Sequence, residues 1–198
     1  WILDQRLFQP DKVRYIGDEV AALAAGDEDA AQEALDKDKE NKGLQKKLAD
    51  AKVAAKAFVD MLVENSDYFG LIAFSTDVYT IYPLQELQSG DKNTIKNEID
   101  ALGAGGSTSH YDAIYEGSDS LDGVTGRRVL ISMTDGLSND DLNTLDDAIN
   151  RANSANAAVY TIGLGDDANQ GELLSIANRT DYHTGPRAIR RAFVGSIF

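Results

Sequence analysis

The chain has 198 residues, enough for one domain of ordinary size or one domain with a small appendage, and long enough to bury a core without a disulfide or metal to hold it. It contains no cysteine, which excludes disulfides, zinc–thiolate sites, iron–sulfur clusters and cysteine nucleophiles. A formal net charge of −14 argues against nucleic acid and anionic membranes, which are bound through clustered Lys and Arg, and suits a protein that meets cations or basic partners. No apolar run approaches the ~20 residues of a membrane span, so no membrane insertion is expected, and the abrupt start at Trp1 carries no signal-peptide pattern.

From residue 44 the pattern becomes regular. "LQKKLADAKVAAKAFVDMLVEN" spaces Leu44, Leu48, Ala51, Ala55, Phe58, Met61 and Leu62 three or four apart, which predicts an amphipathic helix over 44–64. "YFGLIAFS" (68–75) reads as a buried strand, and "DVYTIYPL" (77–84) as an edge strand stopped by Pro83. "DKNTIKNEIDAL" (91–102) predicts a helix with Ile95, Ile99 and Leu102 on one face, and "SHYDAIYEGSDSL" (109–121) another. A strand at 127–133 is followed by a helix over roughly 141–155, a buried strand at 157–165, a helix at 170–179 and a closing helix at 186–198. Strands alternating with helices of this length indicate a parallel α/β sheet covered on both faces, with ligands gathered beyond the C-terminal ends of its strands.

Two polar clusters fall at such positions. "RRVLISMTDGLSND" sends an apolar strand straight into Asp135 and Gly136. "LGAGGSTSHYDAI" is a glycine-rich loop that leads through Thr108 and Ser109 into a helix. Ser and Thr there suit an N-cap, and Asp135 suits a turn. Taken together, a hydroxyl and a carboxylate from separate loops also suit a hard divalent cation such as Mg²⁺, which takes oxygen ligands and keeps several waters. His110 follows the threonine loop and either lines the rim of that site or, the plainer reading, is a solvent-exposed loop residue; His183 has no Ser or Asp partner evident in the sequence. Ser132 and Ser138 lack a G-x-S-x-G context, "GLGDDANQG" falls short of a dinucleotide fingerprint, and no P-loop occurs.

"KLADAKVAAKAFVDML", "DYFGLIAFSTDVYTIYPL", "ALGAGGSTSHYDAI", "RRVLISMTDGLSND" and "AAVYTIGLG" follow one another in the order and spacing of the von Willebrand factor type A domain. Residues 44–198 resemble that family. The resemblance implies a doubly wound, mostly parallel sheet with one antiparallel edge strand and helices on both faces. It also implies a metal-ion-dependent adhesion site (MIDAS) for Mg²⁺ or Mn²⁺. The ligands of such a site come from a DxSxS turn after the first strand, a threonine in a glycine-rich loop and an aspartate in a TDG turn. The resemblance puts Thr108 in the threonine position and Asp135 in the aspartate position. It implies a non-catalytic adhesion or assembly module at a cell surface or outside the cell, binding a protein ligand whose acidic residue completes the metal shell.

No DxSxS occurs in the chain. Candidates for the absent turn are Asp27 and Asp29 in "EVAALAAGDED", after a possible central strand at 19–25, and Asp36 and Asp38, with Glu40, in "ALDKDKENKG", which reproduce the i, i+2, i+4 spacing of DxSxS. Asp4, after "WIL", is a weaker one. Helix capping is the plainer reading of Asp27 and Asp29, and a solvated face that of Asp36 and Asp38. Carboxylates in place of the hydroxyls would favour Ca²⁺ over Mg²⁺. Residues 1–43 are a separate N-terminal segment, strand–strand–helix in pattern, that could supply the first strand. Within it, "DKVRYIGDEVAALAAGDEDAAQEAL" resembles part of the molybdopterin-binding subunit of the xanthine dehydrogenase and aldehyde oxidase family. Two alternatives to the binding module follow: a fragment or accessory of a molybdenum hydroxylase, or an inert structural scaffold.

Overall fold

The computed structural model describes residues 28–165, 168–180 and 191–197, with side chains described over 39–165 and 168–180. The chain divides into two compact units, Trp1–Lys46 and Lys47–Phe198. Of the first unit, residues 28–46 are helical; the expected strands before them, Asp4 and Asp27 lie outside the described residues.

The order is α1 (Glu28–Met61), β1 (Tyr68–Phe74), β2 (Val78–Glu86), α2 (Asp91–Ala101), α3 (His110–Leu121), β3 (Arg127–Thr134), α4 (Leu145–Ser154), β4 (Ala157–Gly163), α5 (Gln170–Arg179) and β5 (Arg191–Ile197). The five strands form one sheet in the order β2-β1-β5-β3-β4. β1, β5, β3 and β4 are mutually parallel, and β2 runs antiparallel along one edge. This is a doubly wound α/β fold. Among the described residues no helix is long and apolar enough to cross a membrane.

Side chains alternate across the pleat and divide the core in two. On one face Leu48, Ala51, Ala55 and Val59 of α1, Leu62 just past its end, and Ile95 and Ile99 of α2 pack with Phe69, Leu71, Val129 and Met133. On the other, Ala113, Ile114 and Leu121 of α3, Ala148, Ile149 and Ala152 of α4 and Ile176 of α5 cover Ile72, Phe74, Leu130 and Val159. Val59 takes the inward place expected of Met61, which is 72% exposed.

Four expectations are corrected. The first helix begins at Glu28, so the backbone at Asp29, Asp36 and Asp38 is helical and none of the three stands in a turn after a strand. Pro83 does not stop β2. The register with β1 shifts between Phe69 and Ile72, and this irregularity on an edge strand lets a residue without an N–H sit inside it. Gly70 permits the crossing, since a Cβ there would lie 3.2 Å from the Leu84 backbone. The helix expected from 141 starts at Leu145, where Thr144 and Asp147 form a capping box. Lastly, 191–197 is a strand. "RAFVGSI" is a short apolar run whose helical and extended readings are hard to separate by periodicity, and the open slot between β1 and β3 decides it. The central position considered for residues 19–25 belongs to β5.

Candidate functional site

The parallel strands point the same way, and the turns after β1 and β3 meet beyond their ends. The loop before α3 is shaped by Gly105 and Gly106, at φ 144° and 93°, a region that L side chains rarely adopt. A Cβ on Gly106 would come within 3.0 Å of Ser75 Cβ and Thr76 Oγ1, so the loop lies directly on the turn after β1. Ser107 N–H donates to Thr76 Oγ1 (3.2 Å) and Ser109 N–H to the Ser75 carbonyl (2.8 Å). Ser109 occupies the N-cap position of α3 but does not cap it with its side chain. Its hydroxyl lies between the carbonyls of Thr76 (2.8 Å) and Asp140 (2.9 Å) and ties the two loops together. Asp141 does the capping from the neighbouring loop, accepting from Asp112 N–H at 2.9 Å.

Asp135 opens the other loop, 135–144. Thr108 N–H donates to Asn139 Oδ1 (2.8 Å), and Asn139 N–H donates back to the Thr108 carbonyl (3.0 Å). Thr108 Oγ1 faces the turn closely enough that a Cβ on Gly136 would lie 3.4 Å from it. Thr108 Oγ1 therefore faces the start of the aspartate turn. Further along, the Asp112 carboxylate accepts three N–H groups: the Leu142 backbone (2.8 Å), the Asn143 backbone (2.8 Å) and Asn143 Nδ2 (2.7 Å). Ser138 Oγ donates to Asp141. Burial pushes the Asp141 carboxyl above its ordinary range, and this bond from Ser138 opposes the shift. The loop is thus bound down at both ends while Leu137 (54%) and Leu142 (96%) stand exposed.

One contact was not foreseeable from either motif. Lys47, on α1, places Nζ 3.6 Å from Asp135 Oδ2. Its stem runs past Gly165, two residues beyond β4, where an added Cβ would meet Lys47 Cε at 2.8 Å.

His110 departs from the sequence reading. It is not a rim residue but is 2% exposed beneath the threonine loop, its Nε2 2.7 Å from Ser132 Oγ and its ring stacked on Phe74 with centroids 5.7 Å apart. Burial pushes its pKa down to about 4, because a charged imidazole would lose its hydration there. A serine beside a histidine base can suggest a nucleophile, but Ser132 is fully buried and this pair joins α3 to β3 inside the core. His183 lies outside the described residues.

Thr108 and Asp135 offer two hard oxygens for a divalent ion, and water would have to supply most of its shell. Among the described residues no group of three or more Asp, Glu or His side chains is gathered as metal ligands. The backbone at Asp29, Asp36 and Asp38 is helical, so none of them forms a turn of the DxSxS kind. The set fits a hydrated ion held by two protein ligands, not a closed site. Asn139, Asp112, Asp141 and Lys47 were not legible as participants. Asn139 and Asp141 belong to a polar run expected to open a helix, and Lys47 to the polar face of one.

A family model described as the von Willebrand factor type A domain matches residues 42–188 and leaves the stretch resembling the molybdopterin subunit outside the match. Proximal thread matrix protein 1 from the mussel byssus is similar in structure, with a TM-score of 0.58 at 24% identity over 76% of this chain and 38% of that one. A second structure of the mussel protein, with a zinc occupied MIDAS motif, gives 0.55 at 24% identity over 73% of this chain and 40% of that one. A conserved hypothetical protein, BatB from Bacteroides thetaiotaomicron, gives 0.52 at 18% identity over 76% and 79%. At these identities the likeness shows the fold. The chain spans about two fifths of the mussel protein's length. No curated relative matches the sequence.

Proposed function

Because the chain belongs to the von Willebrand factor type A domain family, we propose that it is a non-catalytic protein-binding module that engages its partner through the C-terminal edge of the sheet. In this reading Thr108 and Asp135 form a weak divalent-ion site on that edge. The carrying observation is the meeting of the two loops, in which Asn139 grips the Thr108 peptide and Thr108 Oγ1 faces Gly136 beside Asp135. The two bonds to Asn139 fix the Thr108 backbone, which lowers the ordering cost of presenting its hydroxyl to an ion. When bound, the ion would offer a positive centre to an acidic side chain of the partner. Leu137 and Leu142 add apolar area beside it, and the clamp on Asp112 fixes the Leu142 backbone in place. Two leucines held outward next to a polar centre resemble an interface more than scattered surface apolar residues.

The site differs from a full MIDAS in the missing first-turn ligands, which implies a low affinity for Mg²⁺ or Mn²⁺. Calorimetric titration of Mn²⁺ into the wild type, Thr108→Ala and Asp135→Ala tests this. Weak binding by the wild type that both substitutions reduce supports the site. Equal heats from all three proteins remove Thr108 and Asp135 from it.

A further inference from the structure

Lys47 comes from α1, outside both loops that carry the candidate donors, yet it reaches the carboxylate those donors depend on. The Lys47 and Asp135 side chains are only 26% and 15% exposed, so solvent screens the pair less than it screens ion pairs on the open surface. The approach is shaped by the backbone: a Cβ on Gly165 would stand 2.8 Å from Lys47 Cε and 3.3 Å from Nζ. A glycine at that position leaves room for the lysine stem to lie along the edge.

We propose that Lys47 is a tethered cation that competes with a divalent ion for Asp135. The proposal rests on the reading of Thr108 and Asp135 as the ion's donors. A carboxylate with an ammonium beside it has part of its charge already answered. A divalent ion arriving at the same oxygens meets a like charge a few ångströms away and must either displace it or bear the repulsion. Lysine suits the part because its charge is compact and its four-carbon stem is flexible, so it can withdraw without any backbone movement. The edge then has two states, one closed by its own ammonium and one open to the metal. The balance between them is set by divalent-ion concentration and by whatever the partner offers Lys47.

The test uses Mn²⁺ alone, with the free ion followed by electron paramagnetic resonance against the full chain. Lys47→Gln removes the charge, Lys47→Met removes it while keeping an apolar stem, and Lys47→Arg keeps it. Lys47→Gln and Lys47→Met are expected to bind Mn²⁺ about tenfold more tightly than the wild type, and Lys47→Arg to match the wild type. Adding Asp135→Asn to Lys47→Gln is expected to abolish the gain. Equal Mn²⁺ affinity in the wild type and both neutral variants overturns the competition. If Asp135→Asn alone still weakens binding in that case, the donors stand and only the role of Lys47 falls. If Asp135→Asn changes nothing, the reading of the site falls with it.

Discussion

Thr108 and Asn139 hold each other through two hydrogen bonds of opposite direction, one from the Thr108 N–H to the Asn139 side chain and one from the Asn139 N–H to the Thr108 carbonyl. The residues are 31 apart in sequence, and this pair is one of the links between the glycine-rich loop and the aspartate turn, beside the Ser109 hydroxyl on the Asp140 carbonyl. Asn139→Ala removes the acceptor of the Thr108 N–H and is expected to cost ~1 kcal/mol of stability in urea denaturation. The same variant should bind Mn²⁺ more weakly than the wild type, because the Thr108 hydroxyl is no longer held. Asn139→Asp keeps an acceptor at that place and should retain most of the stability.

Asp112 is the second fastening of the same loop. Its carboxylate takes three N–H groups from Leu142 and Asn143. Asp112→Ala should destabilise the protein by ~2 kcal/mol, since charge-assisted bonds are stronger than neutral ones and several donors lose their partner together. Amide exchange is expected to quicken at Leu142 and Asn143 while Leu130, inside β3, keeps its protection. Protection unchanged at all three would show that the loop does not depend on the clamp.

The buried His110 gives the protein a dependence on acid. The unfolded chain takes up the proton near pH 6.5, and the folded state resists it until about pH 4. Between those values the unfolded state binds more protons, so stability falls as pH falls, by up to ~1.4 kcal/mol per unit. Urea midpoints measured from pH 7 to pH 4 should decline more steeply in the wild type than in His110→Gln. Parallel slopes would mean that the imidazole does not resist protonation.

Gly165→Ala probes the path of Lys47 from the other side. Gly165 has φ +86°, so alanine there is strained, and the added methyl would displace the lysine stem. The expected cost is ~1 kcal/mol in thermal or urea unfolding. Mn²⁺ binding should tighten as it does when the charge of Lys47 is removed, though by less.

Much of this fold was legible because its elements carry their own signals. "YFGLIAF", "RRVLISM" and "AAVYTIG" are apolar runs of strand length with turn residues on either side, and each became a parallel strand. Thr108 and Asp135 stand out in the sequence as candidates because one lies two residues after a glycine pair at a helix start and the other directly before Gly136 at a strand end. β5 was not legible, since seven residues cannot separate the two periodicities and only the vacant slot in the sheet decides between them. Lys47 reads in sequence as one more charge on a helix face. What makes it important is the distance to Asp135, which no local pattern encodes.

The place of β5 also bears on how the protein folds. Among the described strands, the β1–β2 pair and the β3–β4 pair are bridged in the sheet by this strand, the last of them in chain order. Tyr68 must find Ala192 before the halves close, a contact of high sequence separation that carries a large loop-closure entropy. On a ribosome the two halves emerge long before the strand that unites them. Until it arrives, β1 and β3 each present an unpaired edge, the kind of surface that invites pairing with another chain.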